Sequence, residues 1–145
     1  EPISQTMCSI NEKFIPMVQE ACQLYERIGY HDFEGIVLDS SEKKRLISAM
    51  GTKNHTLVLK NHGLLTAGPS AIWAFVRHQI YIRNSDIQLR ALASGAEISK
   101  IPEDVIKHTR QQFEGGSAQG GAVVRHPEWP AFWRLLDKLD PDWKT

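Results

Sequence analysis

Residues 57–68 read Leu-Val-Leu-Lys-Asn-His-Gly-Leu-Leu-Thr-Ala-Gly, and no other stretch constrains the fold as much. Leu57-Val58-Leu59 is a short apolar run of residues suited to a strand. Leu64-Leu65-Thr66-Ala67 is a second such run, closed by Gly68-Pro69. The Asn61-His62-Gly63 step between them is polar and turn-prone. The pattern predicts a strand over Thr56–Leu59 and a hairpin partner over Leu64–Ala67. Runs this short and this apolar belong inside a sheet that is covered on both faces. His62 then stands at the exit of a buried strand, with a glycine leaving little bulk beside it. A metal ion or a substrate can approach an imidazole so placed.

Helical patterns surround this pair. Asp39 followed by Glu42 resembles a capping box that opens a helix through Met50, with Leu46, Ile47 and Met50 as its buried face and Gly51 as its stop. Ser70 caps the longest helix, which runs to Ser94 with Ile72, Val76, Ile80, Ile87 and Ala91 along one stripe. Pro102-Glu103-Asp104 makes a good first turn for a helix to Phe113, since proline and acids suit that position. Pro127–Leu139 is a last amphipathic helix carrying Trp129, Phe132, Trp133 and Leu136. Nearer the start, Pro16 and the spacing of Val18, Cys22 and Tyr25 predict a helix over Pro16–Ile28, ended by Gly29. Gly35–Leu38 is short and β-prone and reads as a strand. Gly115–Gly121 holds four glycines in seven residues and reads as a mobile loop. It is not a phosphate cradle, because no strand leads into it and no Gly-Lys-Ser/Thr follows.

Strands alternating with helices indicate an α/β layered fold. Three or four strands make a narrow sheet for so many helices, and Glu1-Pro2-Ile3-Ser4-Gln5 opens without a cap or a strand before it. The expectation is one partial domain over residues 1–145, with N-terminal strands of the same sheet missing upstream.

Charge narrows the range of functions. Lys plus Arg number 17 and Asp plus Glu number 17 in 145 residues, so no basic stripe argues for nucleic acid. No apolar run reaches the roughly 18 residues that a membrane span needs. Cys8 and Cys22 do not make a disulfide framework. Cys22 lies in an apolar pattern and reads as a small buried thiol. The expected compartment is the cytoplasm.

The remaining titratable residues offer weaker candidates. His31 and Asp32 beside Glu34 could pass for a metal cluster, but a hydrogen-bonded turn is the better reading of that spacing. His55 precedes a strand and reads as solvated. His78, on the long helix, reads as a polar-edge or interface residue, and His108 and His126 lie in or beside exposed segments. Trp129, Trp133 and Trp143 are spaced like a packing face, for a core or a subunit interface.

Several segments, in order, resemble the class II aldolase/adducin family, and its adducin-like branch in particular. They are Tyr30-His31-Asp32-Phe33-Glu34-Gly35-Ile36, Glu42 with Arg45, Leu46 and Gly51, Asn61-His62-Gly63-Leu64-Leu65-Thr66 with Gly68, Gln88-Leu89-Arg90-Ala91, and Glu128-Trp129-Pro130-Ala131 with Asp140-Pro141. The resemblance covers nearly the whole chain and implies a three-layer α/β/α sandwich that assembles as a homo-oligomer. Catalytic members hold Zn²⁺ through a His-x-His pair and a later histidine, and they make or break carbon–carbon bonds in small hydroxy-carbonyl compounds. His62 matches the later histidine. No His-x-His pair occurs in the sequence. The resemblance places that pair and the acid–base glutamate before Glu1, and residues from about Cys8 to Phe14 look inserted. Two expectations of different kinds follow: a Zn²⁺-dependent aldehyde-lyase with His62 as one metal ligand and a small-molecule substrate, or an adducin-like, non-catalytic assembly or regulatory module.

Overall fold

The computed structural model describes residues 2–36, 41–118 and 129–144. In chain order they form α1 (Pro2–Ser9), a 3-10 segment at Gln19–Leu24, β1 (Ile28–His31), α2 (Ser41–Met50), β2 (Thr56–Leu59), β3 (Gly63–Thr66), α3 (Ala71–Ala93), α4 (Glu103–Ala118) and α5 (Trp129–Leu139), with a short 3-10 turn at Pro141–Lys144. The strands make one sheet in the order β1-β2-β3. β1 runs parallel to β2, with Tyr30 opposite Val58. β2 pairs antiparallel with β3, with Val58 opposite Leu64.

That register sorts the side chains onto two faces, because successive strand residues point to opposite sides. Tyr30, Val58 and Leu64 share one face: Val58 is in the main core with Met7 and Cys8 of α1 and Val76, Ile80 and Tyr81 of α3, and the half-buried Tyr30 and Leu64 pack against it. Gly29 and Leu57 share the other face, where a Cβ on Gly29 would lie 2.3 Å from the carbonyl oxygen of Ala49 in α2. Helices therefore cover both faces, giving an α/β fold in three layers with the sheet between.

The hairpin and the long helix form where the sequence pattern puts them. Ser70 accepts a hydrogen bond from the backbone N–H of Trp73 and caps α3. Gly51, at φ +61°, ends α2. Cys22 is buried, as its apolar setting implies.

Other expectations are corrected. The helix expected over Pro16–Ile28 is only the 3-10 segment, flanked by extended backbone at Val18 and Tyr25. Gly29 is not a helix stop but the second residue of β1. The competing interaction is long-range: the carbonyl of Arg27 accepts from the N–H groups of His55 and Thr56, which commits the following residues to the sheet. The strand expected over Gly35–Leu38 is not formed at Gly35 and Ile36, where the chain turns at φ +99° and Ile36 is 85 % exposed. Val37, Leu38 and Asp39 lie outside the described residues. Ile47 points out of the expected buried face of α2, at 62 % exposure. α4 continues through the first glycines of the expected loop to Ala118, while 119–121 lie outside the described residues, as do Pro127 and Glu128 before α5. Finally, α1 was not expected at all, yet it buries Ser4, Met7 and Cys8.

Candidate metal centre at the strand ends

The carboxyl ends of β1 and β2 lie side by side, and open α/β sheets place their ligands outside such ends. Lys60 donates its N–H to the carbonyl of His31 at 2.9 Å and extends the ladder by one residue. The chain then turns tightly through Asn61, whose φ of +57° is in the left-handed region that asparagine tolerates. The N–H of Asn61 bonds to the carbonyl of Cys8 at 2.8 Å, and that of His62 to Leu59 at 3.0 Å. The Cys8 thiol donates to the carbonyl of Gly63 at 2.9 Å. Burial pushes this thiol up to about 11, so it serves as packing and anchor rather than as a nucleophile. A Cβ on Gly63 would meet nothing within 4 Å, so the space beside His62 is open.

His62 is exposed at this turn. It lines a cleft of about 70 Å³ together with His31, Glu34, Glu42, Leu59 and Lys60, among others. The structure thus puts His62 in one cleft with His31 and Glu34, whose spacing in the sequence reads as a turn. The membership of that group changes. Asp32 swings to Lys60, at 2.7 Å, and the ammonium holds its carboxyl below the usual range. Glu42 takes its place from the first turn of α2. The Nε2 of His31 lies 3.4 Å from Oε1 of Glu42 and 3.8 Å from Oε1 of Glu34. One donor atom from each of His31, Glu34 and Glu42 falls within 4.8 Å of the others. Arg45 grips Glu34 through both carboxylate oxygens, at 2.9 and 2.8 Å from its Nε, with Nη2 adding a further contact to Oε2. That pairing holds the Glu34 carboxyl below the ordinary glutamate range. The sequence shows Glu42 as a capping residue and as part of the family resemblance, but nothing local links it to His31.

The other histidines lie elsewhere. His55, expected to be solvated, is half-buried at the opposite end of β2, with Nδ1 3.0 Å from Oγ1 of Thr56. Burial, then the nearby Arg77 and Arg27 charges, push it down to about 3 and keep it neutral. His108 is exposed on α4, and His126 lies outside the described residues.

The model of the Class II Aldolase and Adducin N-terminal domain matches residues 2–89, which include every residue of this cleft. The chain belongs to the class II aldolase/adducin family. A Pseudomonas aeruginosa protein named "Putative aldolase class 2 protein" is 32 % identical over 130 residues, covering 90 % of this chain and 50 % of the relative. Rat alpha-adducin is 30 % identical over 146 residues, covering 95 % of this chain and 20 % of the relative. Among solved structures, an aldolase II superfamily protein from Pseudomonas syringae superposes with a TM-score of 0.84 at 29 % identity, over 100 % of this chain and 56 % of that one. L-fuculose 1-phosphate aldolase from Glaciozyma antarctica shares the fold, with a TM-score of 0.63 at 21 % identity over 76 % of this chain and 40 % of that one. The chain thus spans about half the length of its bacterial relatives. No helix among the described residues is long and apolar enough to cross a membrane.

Proposed function

We propose that this chain is part of a Zn²⁺-dependent lyase acting on a small hydroxy-carbonyl compound in the cytoplasm, with His62 as one metal ligand and residues 1–145 as one portion of a single domain. The observation that carries the reading is the position of His62. The family's signature histidine stands at the β2–β3 turn, on an open cleft at the carboxyl ends of two parallel strands. The Pseudomonas aeruginosa relative, which carries the name of a putative aldolase class 2 protein, supports the lyase reading.

His62 is a single imidazole, and a catalytic zinc site uses three protein ligands. Residues 1–145 therefore do not by themselves fit the ion as a catalytic centre, and no chemical step follows from them alone. What they supply is a fixed imidazole. Backbone bonds from Asn61 to Cys8 and from His62 to Leu59 hold the turn, and the cleft beside it admits a ligand.

Two assays test this. The 145-residue chain alone should give no steady cleavage of hydroxy-carbonyl substrates, because removing parts that act as a unit costs nearly the whole rate advantage. In a polypeptide that carries this segment together with a His-x-His pair, metal-dependent cleavage should fall by about 100-fold or more on His62→Ala, since a Lewis acid supplies several kcal/mol. Cleavage that persists at parental rate in His62→Ala would overturn the assignment.

The reading also includes a homo-oligomer. β1 and β3 are both edges among the described residues, and open edges pair with other chains. α5 packs inward through Phe132 and Trp129 against Phe75 but leaves Trp133 51 %, Leu135 51 % and Leu139 71 % exposed. Zero net charge offers no repulsion. Light scattering should give a mass of a dimer or larger that falls in Trp133→Glu; a concentration-independent monomer contradicts the proposal.

A further inference from the structure

We propose that His31, Glu34 and Glu42 form a binding site for a divalent first-row cation, distinct from the position of His62. The proposal stands apart from the lyase reading and uses none of its residues as ligands.

Three observations carry it. The first is spacing. Two donors bound to one ion at about 2.1 Å with tetrahedral angles sit about 3.4 Å apart. Nε2 of His31 and Oε1 of Glu42 are 3.4 Å apart, and Oε1 of Glu34 is 3.8 Å from the same nitrogen. All three donors fall within 4.8 Å of one another, so small side-chain rotations close the set on an ion. The second is an orphaned atom. The His31 side chain is only 10 % exposed, and its Nε2 is buried with no hydrogen-bond partner among the described residues. A buried unpartnered nitrogen requires a reason, and an absent ion is one of the few that exist. It faces two carboxylates, so a cation is the ligand that satisfies all three groups together. The third is support from behind. Arg45 fixes the orientation of Glu34 by occupying Oε2 twice and Oε1 once, so Oε1, the oxygen facing His31, keeps a lone pair to offer. Glu42 is held by α2, and His31 by the ladder between β1 and β2.

The donor chemistry sets the class. One imidazole with two carboxylates suits ions between Mn²⁺ and Zn²⁺ better than Ca²⁺, which prefers oxygen alone. The two carboxylates carry two negative charges against the single positive charge of Arg45, so the centre attracts a dication. With no ion bound, the same three side chains form an ion-pair triad only when His31 is protonated.

The test uses the whole chain and Mn²⁺ as the probe. Titration at neutral pH should show binding that broadens the ring resonances of His31 and spares those of His108, which lies on the exposed face of α4. His108→Ala, outside the cleft, should bind Mn²⁺ as the parent does. Glu42→Gln and His31→Asn should each weaken binding at least about tenfold while keeping the parental circular dichroism. Absence of binding at millimolar Mn²⁺, or broadening that spares His31, overturns the site even if a variant fails to fold. Loss of binding in His62→Ala with retention in Glu42→Gln would place the ion on the signature histidine instead, and would also overturn it.

Discussion

Gly29→Ala should destabilise the protein by about 3 kcal/mol, the upper end of what one inserted methyl costs in a packed interior. The added Cβ would lie 2.3 Å from the backbone oxygen of Ala49, with Leu57 Cδ1 at 3.0 Å and the Asn54 amide nitrogen at 3.1 Å. Leu57 and Asn54 can turn aside. The Ala49 carbonyl cannot, because it belongs to the helical backbone of α2, so the whole helix must lift from the sheet. Gly63→Ala is the natural control: nothing lies within 4 Å of its Cβ, and the change should stay within about 0.5 kcal/mol. Urea unfolding of the two variants decides the matter. Equal midpoints would mean that α2 does not rest on β1 at this point. The lesion should also reach the cleft, because α2 carries Glu42 and Arg45. Lifting it moves one wall of the His31 centre, so Mn²⁺ binding should weaken in Gly29→Ala and not in Gly63→Ala.

The same contact shows why part of this fold was legible in the sequence and part was not. β2, β3 and α3 announce themselves locally: a continuous apolar run, a turn residue that accepts positive φ, a serine cap. β1 does not. Its four residues, Ile28 to His31, hold no apolar run, and their partner Thr56–Leu59 lies far along the chain. A helical stripe at Val18, Cys22 and Tyr25 outweighed them on paper, although the bonds from His55 and Thr56 to Arg27 outweigh it in the molecule. Gly29 has the same explanation. Read alone, a glycine after an apolar stretch is a helix stop; read in the sheet, it is the one residue that lets α2 approach. In the cleft, His62 was legible because strand, asparagine turn and glycine are adjacent in sequence. The His31 group was half legible. His31 and Glu34 stood out, whereas Asp32 was grouped with them and Glu42 was not. Nothing local reveals that Lys60 draws Asp32 away, or that α2 returns Glu42 to the end of β1.

Gln88→Leu should cost about 3 kcal/mol although it removes no apolar contact and keeps the side-chain volume. Gln88 is completely buried in α3. Its Oε1 accepts from the N–H of Ile15 at 2.8 Å, and its Nε2 donates to the carbonyl of Lys13 at 2.8 Å. The two bonds clamp a segment without regular secondary structure. Phe14 between them stacks on Tyr81 at 5.3 Å and donates its N–H to the Tyr30 hydroxyl. Leucine would leave one donor and one acceptor of the main chain without partners, each costing about 1–3 kcal/mol where water cannot replace the lost bond. Gln88→Glu separates this account from a simple packing effect. At neutral pH the carboxylate can still accept from Ile15, but it faces the Lys13 carbonyl with no proton to give, and its charge is buried. Burial raises the carboxyl's pKa in the folded state above its unfolded value. Its penalty is therefore full at neutral pH and shrinks as pH falls through that raised value, when the acid regains a donor. The stability gap between Gln88→Glu and the parent should narrow from pH 7 towards pH 5, while the gap for Gln88→Leu stays constant. Parallel denaturation curves for both variants at the two pH values would show that Gln88 acts by filling space and does not hold the Lys13–Ile15 segment through hydrogen bonds.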